Sequence, residues 1–132
     1  MKNFVLLSFS IILSTVLCTG CSLLKASANP TFPLPGEPLG NVKLQADTYN
    51  PAIIAAGLEV SNCKNFQDFK VTNVKVIKRP YDIKVENGIQ QDGKWQEEWE
   101  INACGTTVYV PVYYQLNPQG ATYRIPQNEV HK

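Results

Sequence analysis

Two stretches of this chain alternate so regularly between apolar and polar residues that they leave little choice of backbone. In Lys94 to Ala103 the odd positions Trp95, Trp99, Ile101 and Ala103 share one face, and Gln96, Glu98, Glu100 and Asn102 share the other. In Val108 to Leu116 the even positions Val108, Val110, Val112, Tyr114 and Leu116 face one way, with Tyr109, Pro111 and Tyr113 opposite. Period-two alternation is the signature of a strand, so both stretches read as half-buried strands, each with a wet side. Cys104-Gly105-Thr106-Thr107 lies between them as a turn, and together they predict an antiparallel hairpin.

The flanking sequence extends this sheet. Phe69 to Lys78 and Tyr81 to Glu86 are rich in Val, Ile and aromatic residues, with Arg79-Pro80 as a bend or bulge between them. Asn87-Gly88, Asp92-Gly93 and Asn117 to Gly120 are turn signals, and Ala121 to Ile125 is a last short strand. Val42 to Ala46 alternates as a first strand. Asn50 then suits a helix N-cap and Pro51 the first helical position. Pro51 to Glu59 is therefore expected as a short helix with Ile53, Ile54 and Leu58 on its apolar face, weakened by Gly57. The fold class is α+β: an antiparallel β-meander of about five strands carrying one short helix. An all-β sandwich is the alternative if residues 51–59 are irregular.

The amino terminus reads differently. Met1-Lys2-Asn3 gives a positive start, and Phe4 to Leu17 is then uncharged and mostly apolar. Fourteen residues of helix would span about 21 Å, short of a hydrocarbon core of about 30 Å, which favours a signal-peptide core over a spanning helix. The next residues, Leu17-Cys18-Thr19-Gly20-Cys21-Ser22, resemble the bacterial lipobox. In that motif small residues precede a cysteine that receives a diacylglyceryl thioether and becomes the new terminus. Thr19 and Gly20 match its small positions, whereas Cys18 stands where the pattern prefers Leu. The resemblance implies lipidation of Cys21 by several acyl chains, which anchor firmly where one chain would not. Ser22 after that cysteine implies the outer membrane under Gram-negative sorting. From Ser22 to Gly40, Pro30, Pro33, Pro35 and Pro38 exclude a helix or central strand, and an extended spacer is expected. The resulting division is a signal peptide over 1–20, lipid attachment and tether over 21–40, and a folded domain over 41–132.

Charge and cysteine usage narrow the function. Beyond Lys2, eleven Lys and Arg balance eleven Asp and Glu, so nothing general draws the domain to nucleic acid. Cys63 and Cys104 are the two cysteines of the domain, and in an exported protein they suggest a disulfide. A single histidine, His131 near the end of the chain, leaves no basis for a zinc site or a catalytic triad. There is no Walker loop and no G-x-G-x-x-G, so no cofactor is expected.

Glu97, Glu98 and Glu100 form the one close carboxylate cluster, and Glu98 and Glu100 would lie about 7 Å apart on one strand face. That spacing supports a minor reading as a cell-wall glycan hydrolase. Capture of a small ligand between sheet and helix is a further alternative. Tyr109, Tyr113 and Tyr123 are expected to present rings on the outer face, where tyrosine suits recognition. The run Trp95-x-x-x-Trp99-x-x-x-x-Cys104-Gly105 resembles uncharacterised small exported proteobacterial proteins, a resemblance that implies no activity. The leading expectation is a non-enzymatic envelope lipoprotein, held to the membrane by its lipid, that binds an envelope protein partner as an accessory subunit or inhibitor.

Overall fold

A computed structural model describes residues 30–132. The hydrophobic leader, Cys18, Cys21 and the first part of the tether lie outside the described residues. Within them, helix α1 (Val42–Glu59) is followed by strands β1 (Phe69–Glu86), β2 (Ile89–Ala103), β3 (Thr106–Asn117) and β4 (Gly120–Arg124). The strands form one open antiparallel sheet in the order β1-β2-β3-β4. The mixed α+β meander is therefore present, with four strands in place of the expected five.

The missing strand is Val42–Ala46, which forms the first turns of α1. Asn41 caps this helix by accepting a 2.9 Å hydrogen bond from the Leu44 amide. Five residues of alternation fit a helix as well as a strand when the next buried positions fall three or four apart. Here they do, at Leu44, Gln45, Thr48, Ala52, Ile53, Ala55 and Ala56. Pro51 consequently lies inside the helix and does not start it. Its missing N–H frees the Asp47 carbonyl four residues back, and the Tyr123 hydroxyl donates to that carbonyl at 3.1 Å. The buried side of α1 includes Ala52, Ala55 and Ala56, whose small side chains let its second half approach the sheet closely. Of the expected apolar face only Ile53 is buried; Ile54 and Leu58 are exposed, Leu58 by 70%. Gly57, in the last turn, makes room for the Phe66 ring, whose Cε1 would lie 2.7 Å from a Cβ at that position.

Register on the sheet follows parity. Val71, Ile101 and Val108 lie in one row, as do Val74, Trp99 and Val110, and all face the helix side. Trp95 stacks on its cross-strand partner Tyr114 with centroids 4.9 Å apart. β1 runs straight through Arg79-Pro80, the expected bend being absorbed as irregular pairing with β2. Asn87-Gly88 makes the β1–β2 turn with both residues at positive φ. Asp92-Gly93, expected as a turn, is part of β2. Cys63 and Cys104 form a disulfide with Cα atoms 5.6 Å apart, tying the segment after α1 to the β2–β3 turn.

Both ends of the described chain are fastened to the sheet. The proline-rich segment 30–41 is a strap on the domain, not a free spacer. Leu34 is buried and its amide donates to Gln45 Oε1 at 2.8 Å. The Glu37 amide donates to the Val74 carbonyl at 2.8 Å, covering the edge of β1 there. Gly36 permits this crossing, with φ +98° and a would-be Cβ 2.3 Å from Val74 O. At the other end His131 is not frayed, because it exchanges backbone hydrogen bonds with Tyr109 at 2.8 and 3.2 Å.

Candidate functional site

The inward row of β2 contains one residue whose chemistry does not match its neighbours. Glu97 lies between Trp95 and Trp99 on the helix side and is 0% exposed. Its Oε1 accepts from the Leu39 amide at 2.8 Å and Trp95 Nε1 at 3.2 Å, and its Oε2 accepts from Trp99 Nε1 at 3.0 Å. No cation forms a salt bridge with it among the described residues. A buried carboxylate is tolerated only when its oxygens are hydrogen-bonded, and three donors from the strap and the sheet meet that need. Glu97 thus joins the strap to the core. Sequence parity pointed to it, since 97 is odd like its tryptophan neighbours, and two buried indoles each need an acceptor. Grouping it with Glu98 and Glu100 concealed that signal.

Glu98 and Glu100 lie on the opposite, outer face. Glu100 is ion-paired with Lys75 of β1, and its hydrogen bond and charge hold the lysine above its ordinary pKa. Among the described residues no group of three or more His, Cys, Asp or Glu could hold a metal ion.

Two of the three expected tyrosines share the outer face. Tyr109 stacks on His131 with centroids 5.2 Å apart. Tyr113 donates its hydroxyl to Glu129 and carries the Arg124 guanidinium over its ring at 4.2 Å. The bond to Glu129, followed by burial, raises the Tyr113 hydroxyl above the ordinary tyrosine value. Tyr123 does not join them. It pairs across the ladder with Tyr114, on the helix side, and its hydroxyl is taken by Asp47. Tyr81 of β1 comes to the outer face instead, opposite Lys94.

A group of exposed apolar residues on the first hairpin was not legible in the sequence. β3 pairs with β2 only from Gly93 onward, whereas β1 and β2 pair as far as Glu86 and Ile89. Residues 81–92 therefore project as a two-stranded arm, about 17 Å beyond the four-stranded sheet. Ile77, Tyr81, Ile83, Val85 and Ile89 are all exposed on the arm and its root, Ile89 by 63%. The free edge of β1 is guarded by Pro80, by Lys78, Arg79 and Lys84, and by its irregular register. On that side the arm offers side chains and not a template for another strand. Alternation in sequence could not reveal it, because a strand covered by a neighbour and an uncovered one alternate alike.

Two concave features accompany these surfaces. A cleft of about 360 Å³ opens at the arm root around the end of the sheet, lined by Lys94, Tyr113 and Arg124 of the outer face and by Trp95, Tyr114 and Tyr123 of the helix side. A cavity of about 650 Å³ lies between the strap and the start of β1, with Pro33, Leu34, Tyr49, Phe69 and Val71 in its walls. No protein-family model, curated protein or solved structure matches the chain.

Proposed function

We propose that this protein is a lipid-anchored component of the bacterial envelope, attached through Cys21 and facing the periplasm from the outer membrane. It acts without catalysis, by docking a protein partner on its hairpin arm and the adjoining outer face, as an accessory subunit or inhibitor does. The observation that carries this reading is the arm itself. Large apolar side chains left exposed together on one element mark interaction sites in folded proteins, and five are exposed on this hairpin and its root.

The layout supports the same reading. Pro30, where the strap begins, borders a cavity whose walls include Phe69 at the start of β1. The arm lies at the far end of that eighteen-residue strand, about 55 Å away at strand rise. Eight residues separate Cys21 from Pro30, a span of at most about 30 Å. A domain standing on its attachment pole would hold the arm well clear of the bilayer.

The test uses the full-length chain in cells, crosslinked before membrane extraction, with captured proteins identified by mass spectrometry. Ile83→Asp with Val85→Asp should remain in the membrane fraction and lose at least tenfold of a defined partner. Cys21→Ser should move the domain into the soluble fraction. Membrane retention of Cys21→Ser would contradict the anchor, and undiminished partner recovery by the double variant would contradict docking through the arm.

A further inference from the structure

The cleft at the arm root has a composition that the docking reading does not by itself require. Its border carries two cations, Lys94 and Arg124, and no carboxylate. The rest is neutral: aromatic rings from both sides of the sheet end, Tyr81 and Tyr113 outside and Trp95, Tyr114 and Tyr123 inside, with the amide of Gln115 and the hydroxyl of Thr122. The recess itself therefore presents two cations among aromatic walls, and its acids, Asp82 beside Lys94 and Glu129 at the Tyr113 hydroxyl, stand at its margin. At about 360 Å³ it lies near the lower end of ligand sites, which run from about 300 to 1,000 Å³, a size suited to one or two side chains.

Its cations are positioned yet weakly engaged. Arg124 lies over the Tyr113 ring at 4.2 Å and makes no salt bridge among the described residues. The Tyr113 ring is itself held by its hydroxyl bond to Glu129, so the guanidinium rests on a fixed platform. Lys94 has one acid within reach, Asp82 at 3.7 Å, and both side chains are substantially exposed. Such an exposed pair is weak and exchanges readily for a better one. A guanidinium fork and an ammonium converging on one recess match a carboxylate, which arginine takes in bidentate geometry. Beside this cleft, Lys94 and Gln115 also border a second recess whose wall includes Ile83 of the arm. A chain seating a carboxylate between Lys94 and Arg124 therefore meets apolar arm surface next.

We propose that the Lys94–Arg124 cleft binds a glutamate or aspartate side chain of an acidic peptide segment on the protein partner, with apolar residues flanking that carboxylate. The inference rests on the docking reading above and specifies the chemistry of the partner at that surface.

The experiment uses the full lipidated chain in detergent and two synthetic eight-residue peptides, one alternating glutamate with leucine and one alternating glutamine with leucine. Calorimetry at low salt should show the glutamate peptide binding at least tenfold more tightly. That advantage should disappear in Lys94→Ala with Arg124→Ala, shrink in Arg124→Lys, and fall as salt is raised. Equal affinity for the two peptides, or an undiminished advantage in the double alanine variant, would overturn the assignment. So would competition in which soluble peptidoglycan fragments displace the glutamate peptide and bind more tightly than it does. Failure of the cleft and failure of the arm are separable in cells. If partner capture survives the double alanine variant but not Ile83→Asp with Val85→Asp, the cleft assignment alone falls.

Discussion

Replacing Glu97 by alanine is expected to cost the domain about 4 kcal/mol or more, a large share of the roughly 5–15 kcal/mol that holds a domain of this size. The side chain is fully buried and is the shared acceptor for the Leu39 amide and both indoles. Removing it leaves two buried indole donors and one part-buried amide unpaired, the buried ones at about 1–3 kcal/mol each before relaxation, and opens a cavity. Glu97→Gln separates these contributions. Glutamine keeps the volume and one carbonyl oxygen, which suffices for Leu39 and Trp95, but it turns an N–H₂ group toward the Trp99 N–H. The expected loss is about 2–3 kcal/mol, or roughly 8–20 °C in melting temperature for a domain of about 100 residues. Urea titration followed by tryptophan fluorescence measures both variants. In Glu97→Gln, hydrogen exchange at the Leu39 amide should accelerate more than exchange in β3, because the strap loses its hold first. A change below 0.5 kcal/mol in either variant would show that the three hydrogen bonds do not stabilise the fold as described.

Breaking the Cys63–Cys104 disulfide is the second large effect. The bond closes a loop across 41 residues of sequence separation, and the chain-entropy relation assigns such a loop about 4 kcal/mol. The bond joins the segment after α1 to the β2–β3 turn. Guanidinium unfolding of the oxidised protein, compared with the protein in excess reductant, should show the midpoint fall with the same slope or a slightly larger one. Coincident midpoints would mean that the loop adds no constraint to the unfolded chain. The double variant Cys63→Ala with Cys104→Ala should follow the reduced protein.

Much of the sheet was legible because its pattern is long and one-sided. Ten residues of alternation in β2 and nine in β3 fix both identity and register, since a one-residue slip would expose every tryptophan and valine of the inner row. Val42–Ala46 was not legible, because its short alternation is also a stretch of helix and the deciding residues, Thr48 and Ala52, lie beyond it. Pro51 gave the wrong helix start for a related reason. Proline at a first helical position is common, and proline inside a helix survives here only because Tyr123, more than seventy residues away, satisfies the carbonyl it frees. The prolines of the strap excluded helix and central strand but could not say whether the segment leaves the domain. Leu34 and Leu39 decide that through Gln45 and Glu97, contacts visible only in three dimensions. At the candidate surface, parity placed Tyr109 and Tyr113 on the outer face. Tyr123 was misplaced because its partner is settled by the β3–β4 register, in which it lies opposite Tyr114.

The central claim is that the arm is the docking element of an anchored domain, and site-specific photo-crosslinking in living cells tests it most directly. A photoreactive residue in place of Ile83 or Val85 should give one discrete adduct with an envelope protein in the membrane fraction. The same probe at Leu58, exposed on α1, should give none. No adduct from the arm, or the same adduct from Leu58, would contradict the claim.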